Sequence, residues 1–263
     1  MKPLASMSAA EAKGLRGLLF DLDDTLLSHG ALTRTAYDAL WVLRDSGLAL
    51  VGVTGRPAGW GEVLVRQWPV EGIVVENGAV CVVREQAGVV RRDACDEAER
   101  RARRTRLAGL VDQVSRAVGE ARLSDDVEMR RTDVTWDIGE RVTLADDRVT
   151  AIVAEIERAG ARWSRSSVHL HATFDVADKA SGVVGFLGAA LGEDAGAALV
   201  RWAFVGDSGN DAACFAAFRT TIGVANVRAY VSRLAVPPKF VTEAERGEGF
   251  AEMARVLARL RAG

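Results

Sequence analysis

The chain has little that would crosslink it, charge it or anchor it. Only three cysteines occur, Cys81, Cys95 and Cys214. They are scattered and odd in number, so they offer neither a disulfide framework nor CxxC zinc spacing, and they fit a reducing cytosol. No charge of one sign dominates, because 34 basic residues stand against 36 acidic ones in 263 positions. A dedicated binder of nucleic acid or anionic membrane would show a basic excess, so neither partner is expected. No apolar run approaches the ~18 residues that a membrane helix needs. The start, Met1 to Gly14, lacks a long apolar stretch and carries Glu11, which argues against a secretory signal. Internal repeats and low-complexity tracts are missing too. What remains is a globular composition, 49% hydrophobic and 27% charged. The length allows one large domain or two modest ones, with ample core either way.

The hydrophobic pattern is that of an α/β protein. Met1 to Lys13 reads as a loose arm. Gly17-Leu18-Leu19-Phe20, Leu48 to Val53 and Ile73-Val74-Val75 are short apolar runs, as in buried parallel strands. Between them lie helical segments, one capped by Thr33 and stopped by Gly47, the other opened by Pro57. Val80 to Val83 and Val89-Val90 flank Gly88 as a hairpin would. The rhythm then changes. An arginine-rich helix is expected within Asp93 to Glu120, a strand around Val134, Trp136 and Ile138, and a helix through Val149 to Ile156. In Val168 to Asp175 apolar and polar residues alternate as in a half-buried strand. After Lys179 the parallel pattern resumes, with strands at Trp202 to Val205, Thr221 to Val224 and Phe240-Val241. These readings give a parallel-sheet core over residues 14–83 and 174–263. A smaller α/β unit is inserted over residues 84–173.

The polar residues that matter stand where strands end. Asp21, Asp23 and Thr25 follow the first strand, Thr54 the second, and Asp207, Asn210 and Asp211 a later one. In open parallel sheets the carboxyl ends of the strands line the ligand crevice. Asp21, Asp23, Asp207 and Asp211 gathered there would repel one another unless a cation joined them. A hard divalent ion such as Mg²⁺, with oxygen ligands, is the natural solution.

These motifs, taken in order, resemble those of the haloacid dehalogenase superfamily. Asp21-Leu22-Asp23-Asp24-Thr25 is similar to its first motif, Thr54 in Val53-Thr54-Gly55-Arg56 to the second, and Lys179 to the third. Gly206-Asp207-Ser208-Gly209-Asn210-Asp211 is similar to the fourth. Glu76-Asn77-Gly78-Ala79 resembles a signature of the class IIB branch, which includes Cof-type phosphatases, sucrose-phosphate phosphatase and mannosyl-3-phosphoglycerate phosphatase. The resemblance implies a Rossmann-like core with an inserted C2-type cap. It implies Asp21 as nucleophile, forming an aspartyl-phosphate, and Asp23 as general acid and base. Thr54, Gly55 and Lys179 would hold the phosphoryl group. Mg²⁺ would sit on Asp21, the Asp23 backbone carbonyl and Asp207. Thr25 would orient the Asp23 loop, Asp211 would support the metal waters and Lys179, and Asn210 would be a nearby polar contact. Two positions depart from the commonest pattern: Lys179 is followed by Ala180-Ser181-Gly182 rather than by Gly, and Asp24 stands where Cof-type relatives carry Gly.

The expected activity is that of a cytoplasmic, Mg²⁺-dependent phosphomonoesterase acting on a small phosphorylated metabolite, a sugar phosphate. A phosphomutase or phosphotransferase of the same fold is the alternative. A non-catalytic binding protein on this scaffold is a third reading, disfavoured because Asp21, Asp23, Thr54, Lys179 and Asp207 are all kept. Specificity should come from the insert. Its candidates are Arg130, Arg131, Arg162, Ser164, Ser166, Ser167, His169 and His171, with arginines suited to a second anion and serines and histidines to hydroxyls. The run Arg100 to Arg106, preceded by acidic residues, reads as a solvated helix face with local ion pairs. The sequence leaves monomer and dimer open.

Overall fold

The structure, a computed structural model, describes residues 1–166 and 168–263. The chain begins with a short strand β1 (Lys2–Pro3) and helix α1 (Ala9–Lys13). It then runs β2 (Gly17–Phe20), α2 (Arg34–Asp45), β3 (Ala49–Val53), α3 (Ala58–Gln67) and β4 (Gly72–Val75). A hairpin of β5 (Val80–Glu85) and β6 (Gly88–Asp93) follows. A second unit comes next: α4 (Glu97–Ala117), β7 (Arg122–Leu123), β8 (Asp133–Asp137), α5 (Asp146–Arg158), β9 (Arg162–Arg165) and β10 (His169–Thr173). The chain returns through α6 (Lys179–Leu191), α7 (Ala195–Arg201), β11 (Trp202–Gly206), α8 (Ala212–Ala217), β12 (Thr220–Gly223), β13 (Phe240–Val241) and α9 (Arg246–Ala262).

The large sheet has nine strands in the order β1-β13-β12-β11-β2-β3-β4-β5-β6. Every pairing from β1 to β4 is parallel, and the hairpin closes the edge antiparallel. The central strands β2, β3, β4, β11 and β12 are buried on both faces, which is why they read as apolar runs. Helices α1, α2, α3 and α9 cover one face, with Leu40, Val65, Phe250 and Leu257 in its core. Helices α6, α7 and α8 cover the other, with Val183, Phe186 and Phe215. Phe20 and Phe250 pack edge to face at 5.4 Å, and each such fully buried side chain contributes about 1.5–3 kcal/mol.

The topology fixes where a ligand goes. From β2 the chain winds outward through β3 and β4, and after its return it winds the opposite way through β11, β12 and β13. The reversal falls between β2 and β11. The carboxyl ends of these two strands therefore open onto a cleft that no connection covers.

The second sheet has four antiparallel strands in the order β7-β8-β10-β9. Its apolar face, with Val134, Trp136, Leu170 and Ala172, packs under α4 and α5 through Leu110, Val114, Ile152 and Ile156. The alternation expected in Val168 to Asp175 is the pleat of β10, so His169, His171 and Thr173 share the opposite face.

Two expectations need correction. The insert was placed at 84–173, but Arg84, Glu85 and all of β6 pair within the large sheet; the second sheet and its helices occupy residues 97–173. The cause is that β5 and β6 are too amphipathic to read as central strands, being an edge hairpin. The arm is not loose either. Lys2–Pro3 pairs with Phe240–Val241, and Leu4, Met7 and Ala12 are buried.

Candidate active site

Asp21 is the residue after β2, and its amide donates to the Val205 carbonyl at 2.9 Å. That bond ties the end of β2 to β11 and aims the Asp21 side chain into the cleft. Across the cleft, Lys179 opens α6. Its Nζ donates to Asp21 Oδ1 at 2.6 Å and to Asp211 Oδ1 at 2.8 Å, and all three side chains are buried. The second oxygen of Asp211 accepts from the amides of Asp207 at 2.9 Å and Ser208 at 3.3 Å. Asp211 is thus spent on holding Lys179 and the Asp207 loop. Asp21 Oδ2 has no protein hydrogen bond among the described residues.

Asp207 follows β11. Asn226 Nδ2 donates to its Oδ2 at 2.9 Å and also to the Asp24 carbonyl at 3.0 Å. Thr25 Oγ1 lies 3.4 Å from Asp207 Oδ1. Thr25 was expected to orient the Asp23 loop, yet its hydroxyl meets Asp207, because the Leu22–Leu26 turn carries it inward against β11.

The site holds excess negative charge. Carboxylate oxygens of Asp21, Asp207 and Asp211 lie within 4.8 Å of one another, with only Lys179 among them. Burial raises the Asp21 carboxyl well above its ordinary range, although Lys179 opposes this. Burial and the neighbouring Asp211 push Asp207 up to about 7. Burial alone would depress Lys179, but Asp21 and Asp211 more than offset it and keep the ammonium charged. Buried carboxylates in this state are short of positive charge. The Asp21 and Asp207 carboxylates are hard oxygen donors of the kind a Mg²⁺-sized cation takes. The donor set therefore fits such an ion.

The remaining motif residues frame this center. Thr54 is buried at the end of β3, where its hydroxyl accepts from Arg56 N at 3.1 Å and keeps its own hydrogen to give. Gly55 lies beside it, and a Cβ there would meet the Asn77 side chain at 3.1 Å. Asp23 is half-exposed at the mouth, held by Arg56 through Nε at 3.0 Å and Nη2 at 2.6 Å. Asn210 lines the crevice and accepts from Ser208 Oγ at 2.8 Å. Both departures from the commonest motif pattern have local causes. Asp24 has φ 55° and pairs with Arg246 Nε at 2.9 Å, so a side chain has a partner where Gly would need none. Gly182 takes the close approach in α6: a Cβ there would sit 2.3 Å from the Gly78 carbonyl oxygen. Gly78, at φ +107°, would put a Cβ 2.1 Å from the Asp178 carbonyl. The Glu76–Gly78 turn thus interlocks backbone to backbone with the start of α6 and sets the height of Lys179.

The expected specificity residues separate. Arg162, Ser164 and His171 line the crevice together with Asn77 and Lys179. Arg130 is buried behind it, bridging Asp126 and Asp133 and donating to the Gly55 carbonyl at 3.0 Å. Arg131 pairs with Asp93 and Glu97. Ser166 closes a turn by accepting from His169 N at 3.0 Å, and His169 itself pairs with Glu140 at 2.8 Å. These four do not line the crevice; each is turned away by a nearby partner. Ser167 lies outside the described residues. Arg100 was expected on a solvated face, but it is buried, giving a bidentate ion pair to Asp175 that Arg103 joins.

Four residues of the site were missed. Arg56 follows the second motif directly, and Asn226 follows the β12 strand, so the strand-end rule would have found both. Glu76 accepts from the amides of Ala58, Arg131 and Thr132 and from the Thr132 hydroxyl. That junction between the two sheets falls on the Glu76-Asn77-Gly78-Ala79 segment, whose resemblance assigned Glu76 no role, and Arg246 carries no sequence signal.

Residues 18–99 match the family model of the haloacid dehalogenase-like hydrolases. Among solved structures, the fold is similar to protein 0175 of Thermoplasma acidophilum, with TM-score 0.72 and 17% identity over 94% of this chain and 99% of that one. It is similar to a haloalkanoate-superfamily phosphatase of Bacteroides thetaiotaomicron, with TM-score 0.62 and 20% identity over 94% and 95% of the chains. The sucrose-phosphatase of Synechocystis, solved with sucrose and phosphate, gives TM-score 0.65 and 14% identity over 92% and 98%. No curated protein matches the chain in sequence.

Proposed function

Because residues 18–99 match the haloacid dehalogenase-like hydrolase model, we propose that the chain is a Mg²⁺-dependent phosphomonoesterase of small phosphorylated metabolites, working in the cytosol through an aspartyl-phosphate on Asp21. The observation that carries this reading is the Lys179 ammonium held between Asp21 and Asp211, which leaves Asp21 Oδ2 free to attack. Asp21 and Asp207, with the Asp23 carbonyl, would hold the ion, which supplies positive charge against the substrate phosphate. Lys179 Nζ, the Thr54 hydroxyl and the Gly55 amide bind phosphoryl oxygens. Asp21 Oδ2 forms the bond to phosphorus as the bond to the leaving oxygen breaks. Asp23 gives that oxygen its proton, then takes one from the water that hydrolyses the phosphoenzyme. For both steps Asp23 swings from Arg56 toward the leaving group. Residues 97–173 act as a cap over the crevice and exclude bulk water. A sugar phosphate suits the crevice, whose cap wall presents the Ser164 hydroxyl and the His171 imidazole; the Synechocystis relative was solved with sucrose and phosphate.

The test is phosphate release from a panel of hexose, pentose and polyol monophosphates and from 4-nitrophenyl phosphate, with Mg²⁺ and with excess chelator. Release should require the metal and return when it is restored. Asp21→Asn should lower turnover by about a thousandfold or more while the protein stays folded. Full activity in chelator, or a tenth of the rate in Asp21→Asn, overturns the mechanism. Release that appears only when a sugar acceptor is added assigns a phosphotransferase instead.

A further inference from the structure

The polar face of the second sheet looks into the crevice, but most of it is already engaged. Thr173 Oγ1 donates to the Thr132 carbonyl at 2.8 Å. Asp133 bridges Arg130 Nη1 and the imidazole of His171. Arg162 spends Nη1 on the carbonyls of Val176 and Ala177, tying β9 to the returning chain. Besides Arg162 Nε and Nη2, two neutral groups are left over. Ser164 Oγ has no hydrogen bond among the described residues, and neither has His171 Nε2. They are register partners on β9 and β10, so their side chains stand together on one face. Both line the same crevice as Lys179.

We propose that His171 and Ser164 are the specificity-determining pair, and that together they recognise a hydroxyl group on the leaving moiety of the phosphate ester. This inference rests on the phosphomonoesterase reading above and gives it a substrate chemistry. The tautomer follows from the neighbors. Asp133, an anion paired with Arg130, only accepts hydrogen bonds. Nδ1 of His171, 3.0 Å from Asp133 Oδ2, therefore carries the hydrogen, and Nε2 presents a bare lone pair to the crevice. Burial holds the imidazole below its usual range and keeps it neutral, against the opposing pull of Asp133. A lone pair beside a serine hydroxyl needs a donor that can also accept, and an alcohol is both. An anionic group placed on this pair would face that lone pair without a donor from the imidazole. Asp133 also locks the ring, so recognition costs little ordering. A site built to hydrogen-bond a hydroxyl discriminates strongly against an analogue that lacks it, because the buried partner is left unpaired.

The test compares kcat/KM for the best hexose, pentose or polyol monophosphate of the panel with kcat/KM for 4-nitrophenyl phosphate, which has no hydroxyl on its leaving group. In His171→Phe that ratio should fall at least fivefold, and His171→Gln, which restores an acceptor, should recover part of it. Ser164→Ala should lower the ratio in the same direction. It removes a partly exposed hydroxyl with no partner, so it tests the pair even where a His171 variant fails to fold; thermal melting identifies that case. The deoxy analogue of the best substrate that lacks the recognised hydroxyl should be hydrolysed equally by wild type and His171→Phe. A ratio that changes less than fivefold in folded His171→Phe, or that does not fall in Ser164→Ala where His171→Phe is unfolded, overturns the inference and leaves the phosphatase reading standing. Wild-type release from 4-nitrophenyl phosphate alone does the same. Release from neither class overturns both.

Discussion

The two walls of the crevice treat charge in opposite ways. On the core wall three buried carboxylates, Asp21, Asp207 and Asp211, surround one ammonium, that of Lys179. The group is not balanced by the protein itself, and its strain shows in the raised Asp21 and Asp207. On the cap wall the buried charges are closed. Arg130 is matched by Asp126 and Asp133, and Asp175 by Arg100 and Arg103. A wall short of positive charge is built to be completed by a cation and to turn over an anion. A balanced wall can stay folded while it offers neutral groups to variable parts of a substrate. Chemistry and selectivity are thus divided between the sheets by electrostatics, and substitutions on the two walls should fail in different ways.

The largest effect should come from Lys179→Met. It leaves Asp21 and Asp211 buried with no counter-ion, and removing one member of such a group costs about 3–5 kcal/mol. Urea unfolding in chelator should show that loss. The value of kcat/KM should fall at least about a hundredfold on any phosphate ester, since a donor aimed at the phosphoryl group is gone. Equal stability of the variant and wild type in chelator would break the contrast, because the core wall would then not be short of positive charge.

Arg100→Met probes the closed wall. It strips the bidentate partner from buried Asp175 but leaves Arg103 in place. A stability loss of about 3 kcal/mol is expected, at the low end for a buried pair. Turnover of 4-nitrophenyl phosphate should fall far less than in Lys179→Met, because Arg100 touches no reacting group. A loss of activity as deep as that of Lys179→Met would mean that the cap junction sets the catalytic geometry.

The same contrast governs what could be read from the sequence. The core residues Asp21, Thr54, Lys179 and Asp207 were legible because a parallel sheet fixes their place: a polar residue after a buried apolar run lies at the crevice whatever its neighbors are. The pleat of β10 was legible from alternation alone. The face of a cap strand does not decide whether a side chain is free. Arg130, Arg131 and His169 have the right chemistry, but their partners Asp133, Asp93 and Glu140 engage them. The pairings of Arg131 and His169 are set by register and by chain paths after β6 and β8, to which spacing is blind; Asp133 stands only three residues from Arg130, but spacing alone does not show that this pair is buried. Arg100 was misread for the same reason, since Asp175 lies far along the chain. The hairpin β5–β6 was assigned past its midpoint to the insert because an edge strand needs only one apolar face.

A backbone test sharpens the core side. Gly182→Ala would force a Cβ to within 2.3 Å of the Gly78 carbonyl oxygen. The start of α6 must then shift and carry Lys179 with it. A stability loss of about 2–3 kcal/mol is expected from such overpacking, with a disproportionate fall in kcat, because small misplacements of positioning groups are costly to rate. Gly185→Ala, in the same helix but with open space around it, should instead gain up to about 1 kcal/mol from helix propensity. Equal effects at both positions would remove the interlock from the account of Lys179.

The smallest effect should be that of His169→Ala, and its smallness is the point. His169 and His171 lie two residues apart on β10, with rings 6.1 Å apart edge to face, and nothing in their spacing ranks one above the other. His169 reaches Glu140, whose side chain is about half-exposed. An ion pair in that setting contributes only about 0.2–1 kcal/mol. The variant should melt within a few degrees of wild type, and the ratio of kcat/KM between a sugar monophosphate and 4-nitrophenyl phosphate should stay within about twofold. A drop in that ratio as large as the one expected for His171 would show that the crevice extends past β10 toward β7, and that the cap wall reads the substrate over a wider surface than the uncommitted pair provides.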